Sequence, residues 1–208
     1  MPHAAAAAAP PAESPWQRIL GDEFSSLHPR LHAYFSALPA GRVGRGTGTF
    51  DVVGTPRRWL WPVLRALQRR RILFPVWELR VPFTVENRAD AGVVRATRTF
   101  QLAGGDRVMV DAVSIDAARP IDHLVDRLGD GGVLSARLTA SVVDGQLRLV
   151  STSARWGRLP IPFAPRVELT ERFDDAVGRP HVALTLESRI FGRIYEYSGF
   201  FDYRIEPA

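Results

Sequence analysis

WELRVPFTVENRADAGVVRATRTFQLAGGDRVMVDAVSI, residues 77–115, decides the fold. Apolar side chains recur there at every second position. Trp77, Leu79, Val81, Phe83 and Val85 form one run, Val94, Ala96, Phe100 and Leu102 a second, and Met109, Val113 and Ile115 a third. A period of two puts alternate residues on opposite faces, which marks a half-buried strand. Working outward, the period persists. Leu134, Leu138 and Val142 keep it, as do Leu147 and Leu149, and then Val167, Leu169 and Phe173. Val182, Leu184 and Leu186 follow, and Tyr195, Tyr197, Phe201 and Tyr203 close the series. The breaks are turn signals: Ala103-Gly104-Gly105, Gly129-Asp130-Gly131-Gly132, Asp144-Gly145, Val177-Gly178 and Gly192. Upstream, Val43 to Val53 reads as one more strand, with Gly44, Gly46 and Gly48 on one side. From Trp77 onward no helix-length connection separates the runs, which disfavours parallel crossovers and predicts antiparallel strands.

The remaining periodicity is helical. Ile19, Leu20, Phe24 and Leu27 form one stripe, and Leu31, Tyr34, Phe35 and Leu38 form another after Pro29. Thr55-Pro56 is a helix-start signal, and Leu60, Val63, Leu64 and Leu67 predict a short helix from about Trp61 to Arg70. The predicted fold is mainly β: an antiparallel meander of about nine strands forming a curved sheet or barrel, with N-terminal helices packed on or plugging it. Closure is the simplest way for such a meander to manage its edges. Residues 1–15 read as a disordered Ala/Pro tail, without the basic start of a signal peptide, and residues 16–208 as a single β-rich domain.

Composition narrows the chemistry. The 208-residue chain contains no Cys, which removes disulfides, thiolate metal sites and cysteine nucleophiles together. No apolar run approaches the ~20 residues that span a bilayer as a helix. All 27 basic residues are Arg, against 22 acidic ones. Arg without Lys reads as a GC-rich coding bias, and the excess is too modest to indicate a nucleic-acid partner. It is also local: nine Arg lie between Arg42 and Arg80, against Asp51 and Glu78. His28 and His32 stand four apart, but Pro29 lies between them and no third ligand is spaced to complete a metal set. There is no Gly-x-Ser-x-Gly elbow, and no cofactor is expected.

Alternation also exposes misfits. Arg98 falls on the face of Val94, Ala96, Phe100 and Leu102. Asp111 lies between Met109 and Val113, and Glu171 on the face of Val167, Leu169 and Phe173. A charge turned inward needs a partner, so Arg98 is expected to pair with Asp111 or Glu171. Two readings stay open: an internal ion pair that fixes register, or an Arg anchor for a ligand in a barrel cavity. The ligand-binding set is then Arg98, Phe100, Asp111, Glu171, Tyr195 and Tyr197. A third reading is catalytic, with Glu171 or Asp111 as acid–base and Tyr197 as proton donor. Gly44, Gly46 and Gly48 are expected to admit close packing of a neighbour on bare backbone; a phosphate cradle with Arg42 and Arg45 is the other reading. The segment TPRRWLWPVLRALQRRR, residues 55–71, joins an apolar stripe to a basic face. It reads as core packing, with Arg58, Trp59, Arg65, Arg69, Arg70 and Arg71 as a partner or anionic-membrane surface. WGRLPIPFAP, residues 156–165, reads as a stiff extended loop, either a crossover or a lid.

The order of these motifs carries a resemblance. GRGTGTF precedes the helix that ends in ILFP, then come Arg98-Thr99-Phe100, WGRLPIPFAP, VELTERF and a closing GRIYEYSGFF with Tyr197-Ser198-Gly199. Across residues 16–206 this resembles the bacterial domain-of-unknown-function 4166 family. Where such domains commonly show Trp two residues before the Arg, this chain has Ala96. The resemblance implies no established activity. It does imply an association with NAD-binding, short-chain-dehydrogenase-like domains, to which members are sometimes fused, and so a place beside redox or lipid chemistry. The chain itself has no dinucleotide-binding fingerprint. The functional expectation is a module binding an apolar or amphiphilic small molecule. The alternative is a partner-docking domain that meets an oxidoreductase or an anionic membrane through the Arg-rich helix. A cytoplasmic setting, peripheral to the membrane, goes with either.

Overall fold

The computed structural model describes residues 13–116 and 123–208. Among these, eleven strands follow one another in a meander: β1 Arg42–Gly54, β2 Trp77–Asp90, β3 Val93–Phe100, β4 Arg107–Ile115, β5 Leu124–Leu128, β6 Leu134–Val143, β7 Gln146–Trp156, β8 Leu159–Pro160, β9 Arg166–Asp174, β10 Arg179–Ser188 and β11 Gly192–Pro207. Every pairing is antiparallel. β1 pairs with β11, and β6 with β7, so ten strands close a barrel with β8 as a short flap on β7. The antiparallel β expectation therefore holds, with closure rather than an open sheet. The periodicity count of nine missed β5, five residues long, and the two-residue β8.

Closure is uneven. β6 and β7 pair along ten positions, but β7 and β9 meet only at Leu147–Val150 with Glu168–Glu171. Above that seam β7 turns away to pair with β8, and the Ser151 hydroxyl accepts a hydrogen bond from the Val167 amide at 2.8 Å.

The two ends differ by construction, because alternate connections of a meander fall at opposite ends. The floor carries the N-terminal helices: α1 Pro15–Leu20, two 3₁₀ turns, and α2 His32–Phe35. Ser14 caps α1 in a capping box with Gln17, and its hydroxyl donates to the Phe35 carbonyl, tying the two helices together. Of the expected disordered tail, residues 1–15, residues 1–12 lie outside the described residues; its end is ordered instead, with Ser14 capping α1 and Pro15 opening it. Leu20, Leu27, Leu31 and Phe35 pack on Leu124, Leu138 and Leu147. The His28 amide donates to the Gly145 carbonyl at 2.9 Å, and its ring stacks on Phe173 with centroids 4.7 Å apart. These helices plug the barrel. At the mouth lies the β1–β2 connection, whose helix α3, Trp61–Gln68, matches the predicted one.

The walls differ too. β1, β2, β3 and β11 pack rings: Phe50 stacks on Phe83 at 3.8 Å between centroids, and Phe74 meets Phe100 edge-on at 5.0 Å. Such pairs contribute about 0.5–1.5 kcal/mol each beyond area burial. The glycines of β1 admit this packing. A Cβ at Gly44 would overlap the Tyr203 phenol, and one at Gly46 would lie 2.6 Å from Val85 Cγ1. One expectation fails in β2. Trp77 and Leu79 do not share the inner face of Val81, Phe83 and Val85 but are exposed. Arg80 takes a φ of 53°, and β1 bulges between Phe50 and Val52, so the alternation reverses there.

Candidate functional site

Ten strands leave a wider interior than the eight that side chains just fill. The inward residues of β4–β7 and β9 are mostly aliphatic and do not close it, leaving a cavity of about 490 Å³. Its wall is Val94, Met109, Val113, Leu138, Leu149, Leu169 and similar side chains. α3 reaches it from the mouth with Leu60, Val63, Leu64 and Leu67, and the loop after β8 with Ile161, Ala164 and Pro165. Trp16 and Tyr34 reach it from the floor helices. The volume and lining are those of a small-molecule site.

Into this apolar chamber the strand period turns a small polar group. Arg98 on β3 pairs with Asp111 on the neighbouring β4. The hairpin register explains the choice of partner: Asp111 sits opposite Ala96, one inward position from Arg98. Burial is the largest single influence on Arg98 and works against its charge, but the Asp111 carboxylate together with Tyr197 and Tyr34 outweighs it and holds the guanidinium above its ordinary range. Asp126 on β5 and Glu171 on β9 complete the cluster, and both line the cavity. Glu171 is 6% exposed, and burial pushes its carboxyl up to about 8, against the pull of Arg98. Asp126 is likewise raised, by burial first and by the Asp111 charge second. Tyr197 and Tyr34 are held above the ordinary phenol range by the same burial. Tyr203 accepts a hydrogen bond from Asn87 Nδ2 at 3.4 Å, and Asn87 lines the cavity.

At neutral pH this cluster holds one ion pair and two carboxyls whose pKa values favour the protonated, uncharged form. Four buried polar atoms of cavity-lining residues have no hydrogen-bond partner among the described residues: Glu171 Oε2, Asp126 Oδ1, Trp16 Nε1 and the Tyr195 hydroxyl. Leaving such a group unsatisfied costs about 1–3 kcal/mol.

Of the sequence-predicted residues, the structure brings together Arg98, Asp111, Glu171, Tyr195 and Tyr197 around the cavity. Phe100 stands apart, fully buried among Phe50, Phe74 and Phe83 and not on the cavity wall. Asp126, Tyr34, Trp16 and Asn87 were not foreseen. Asp126 had a readable signal, since at every second position it shares the strand face of Leu124 and Leu128. The Arg-rich segment lies at the mouth. Trp59 packs edge-on against Phe191 at 4.8 Å, Arg58 stands over the Trp61 ring at 5.5 Å, and Arg71 is paired with Asp130. Arg65, Arg69 and Arg70 are exposed.

Among the described residues no cluster of His, Asp and Glu is arranged to hold a metal ion, and no helix is long and apolar enough to cross a membrane. No curated protein matches the chain. One protein family matches residues 27–201, from the floor helices to the last strand, and so takes in the barrel and its polar cluster; this chain belongs to the family described as Domain of unknown function (DUF4166).

Proposed function

We propose that the barrel binds an amphiphilic small molecule, with its apolar body in the aliphatic chamber and its polar head at Arg98, Asp126 and Glu171. The observation that carries this reading is one apolar cavity of about 490 Å³ whose lining residues include Glu171, Asp126, Trp16 and Tyr195, each with a buried polar atom that has no hydrogen-bond partner among the described residues. A ligand head supplies the partners that the protein withholds. The cluster also selects the head. Arg98 already faces Asp111, so it is not a free anchor for an anion. Two protonated carboxyls donate and accept hydrogen bonds, which suits an uncharged hydroxyl or carbonyl head. This refines the Arg-anchor expectation: the carboxyls contact the head, and the ion pair holds Asp111 in place beside them.

Two measurements test the proposal. Native mass spectrometry of the purified protein should show a bound small molecule that is lost on denaturation. A fluorescent long-chain alcohol should bind with a rise in emission, and Glu171→Leu should weaken that binding by roughly tenfold, the value of about one hydrogen bond, while Glu171→Gln retains most of it. A protein that carries nothing and fails to bind the alcohol would overturn the reading.

A further inference from the structure

The mouth of the cavity is built unlike the rest of the surface. Val63 on α3 and Trp156 at the end of β7 both line the cavity and both reach solvent, so the chamber opens between α3 and the loop 157–165. Three segments ring that opening, and each ends in exposed apolar side chains. α3 and the turn before it show Trp59 and Val63. The β7–β9 loop shows Leu159 at 72% and Phe163 at 89% exposure, and the β10–β11 turn shows Ile190 at 82%. Side chains of this size are seldom presented to water in a group without a reason. The charge pattern of the same segments is one-sided. Residues 57–71 hold six Arg and no carboxylate, residues 155–166 three Arg and none, and residues 187–193 two Arg against Glu187. Arg65, Arg69, Arg155, Arg158 and Arg189 are exposed and make no ion pair among the described residues.

We propose that this rim docks on an anionic lipid bilayer with the cavity mouth facing the membrane, so that the amphiphile passes between bilayer and barrel without crossing water. The inference rests on the cavity reading above and names the surface that supplies its ligand. Aromatic and aliphatic tips insert at the headgroup–acyl boundary, and the Arg collar meets the negative surface potential. The collar determines the occupant. Of the eleven Arg on the three converging segments, Arg71, Arg166 and Arg193 are paired with Asp130, Glu168 and Glu196. The other eight, against Glu187 alone, complement an anionic surface, are not drawn to a neutral one and would repel a basic one. The proposal extends the expected Arg-rich helix to two further loops that have no sequence proximity to it.

Sedimentation of the full chain with vesicles tests the docking directly. The protein should pellet with equimolar phosphatidylcholine–phosphatidylglycerol vesicles at low salt, release as salt rises, and stay in solution with phosphatidylcholine vesicles. The pair Arg158→Glu with Arg189→Glu should lower the vesicle partition by at least about tenfold. Leu159→Ser with Phe163→Ser should lower it comparably at high salt, where insertion matters more than charge. Arg95→Glu, an exposed charge on the outer face of β3 away from the mouth, should leave it unchanged. An unaltered melting temperature checks that each variant is folded. Failure to pellet with anionic vesicles, or equal loss with Arg95→Glu, overturns the docking proposal. The alcohol-binding measurement runs without vesicles, so failure of the cavity reading shows there independently.

Discussion

The two ends of this barrel solve opposite problems with the same kinds of side chain. At the floor, Leu27, Leu31 and Phe35 are drawn out of water by the helical plug that begins at the capped α1, and His28 is fixed to the β6–β7 turn through its amide. At the mouth, residues just as apolar, Leu159, Phe163 and Ile190, are held out in solvent on short turns. Hydrophobicity alone therefore does not say what a residue does here. What separates the ends is whether the protein supplies a cover. The floor is closed by its own chain, and the mouth is left open beside a cavity.

Substitutions that remove the cover break this contrast most strongly. Phe35→Ala should destabilise the fold by about 3–5 kcal/mol, as expected for a fully buried ring, and a shift of the denaturant midpoint would show it. Arg98→Met comes close behind. It strands the Asp111 carboxylate in the cavity and should cost about 3–5 kcal/mol, with much of the loss recovered when Asp111→Leu is added; a double-mutant cycle in denaturant reads both. Gly48→Ala should cost about 1–3 kcal/mol, because the added Cβ would overlap the Phe200 carbonyl oxygen and Phe201 Cα, backbone atoms of the neighbouring strand that cannot step aside.

A smaller effect comes from pH. The Glu171 carboxyl titrates at about 8 when folded, and near 4.3 in an unfolded chain. Between those values the folded state binds the extra proton, so stability is greatest below the unfolded pKa and falls as pH rises through about 8. Asp126 is shifted in the same direction. The melting temperature should therefore fall between about pH 5 and pH 8, and Glu171→Gln should flatten that fall. A flat wild-type profile would mean the carboxyls are not held neutral. Smallest of all, Phe163→Ser at the mouth should move stability by no more than about 0.5 kcal/mol, the complement of the Phe35 result in the same assay.

The fold was legible where alternation is long and opaque where the strand ladder breaks it. Arg98, Asp111 and Glu171 could be placed inward because each sits within a run of apolar residues at period two. That Arg98 meets Asp111 and not Glu171 also follows from locality, since β3 and β4 form a hairpin while Glu171 lies on β9. Asp126 escaped because Leu124–Leu128 is too short, and too charged at Asp126 and Arg127, to stand out as periodic. Trp77 and Leu79 were misplaced for a different reason. The reversal at Arg80 accompanies a bulge set by how β1 meets β11, the first strand meeting the last, and no local pattern encodes it. Tyr34 read as a helix-face residue and Trp16 fell in neither apolar stripe, and only assembly of the plug carries them to the cavity.

The short seam between β7 and β9 has a dynamic consequence. Only four residue pairs join those strands, beside a ladder of ten between β6 and β7. The backbone hydrogen bonds of the seam are the fewest to break, and Val167 beyond it depends on one serine hydroxyl. Amide hydrogen exchange in residues 166–169 should thus outpace that of β1 and β11, marking where the cylinder breathes. A chamber whose wall unzips beside its own lining can admit a guest wider than its resting aperture.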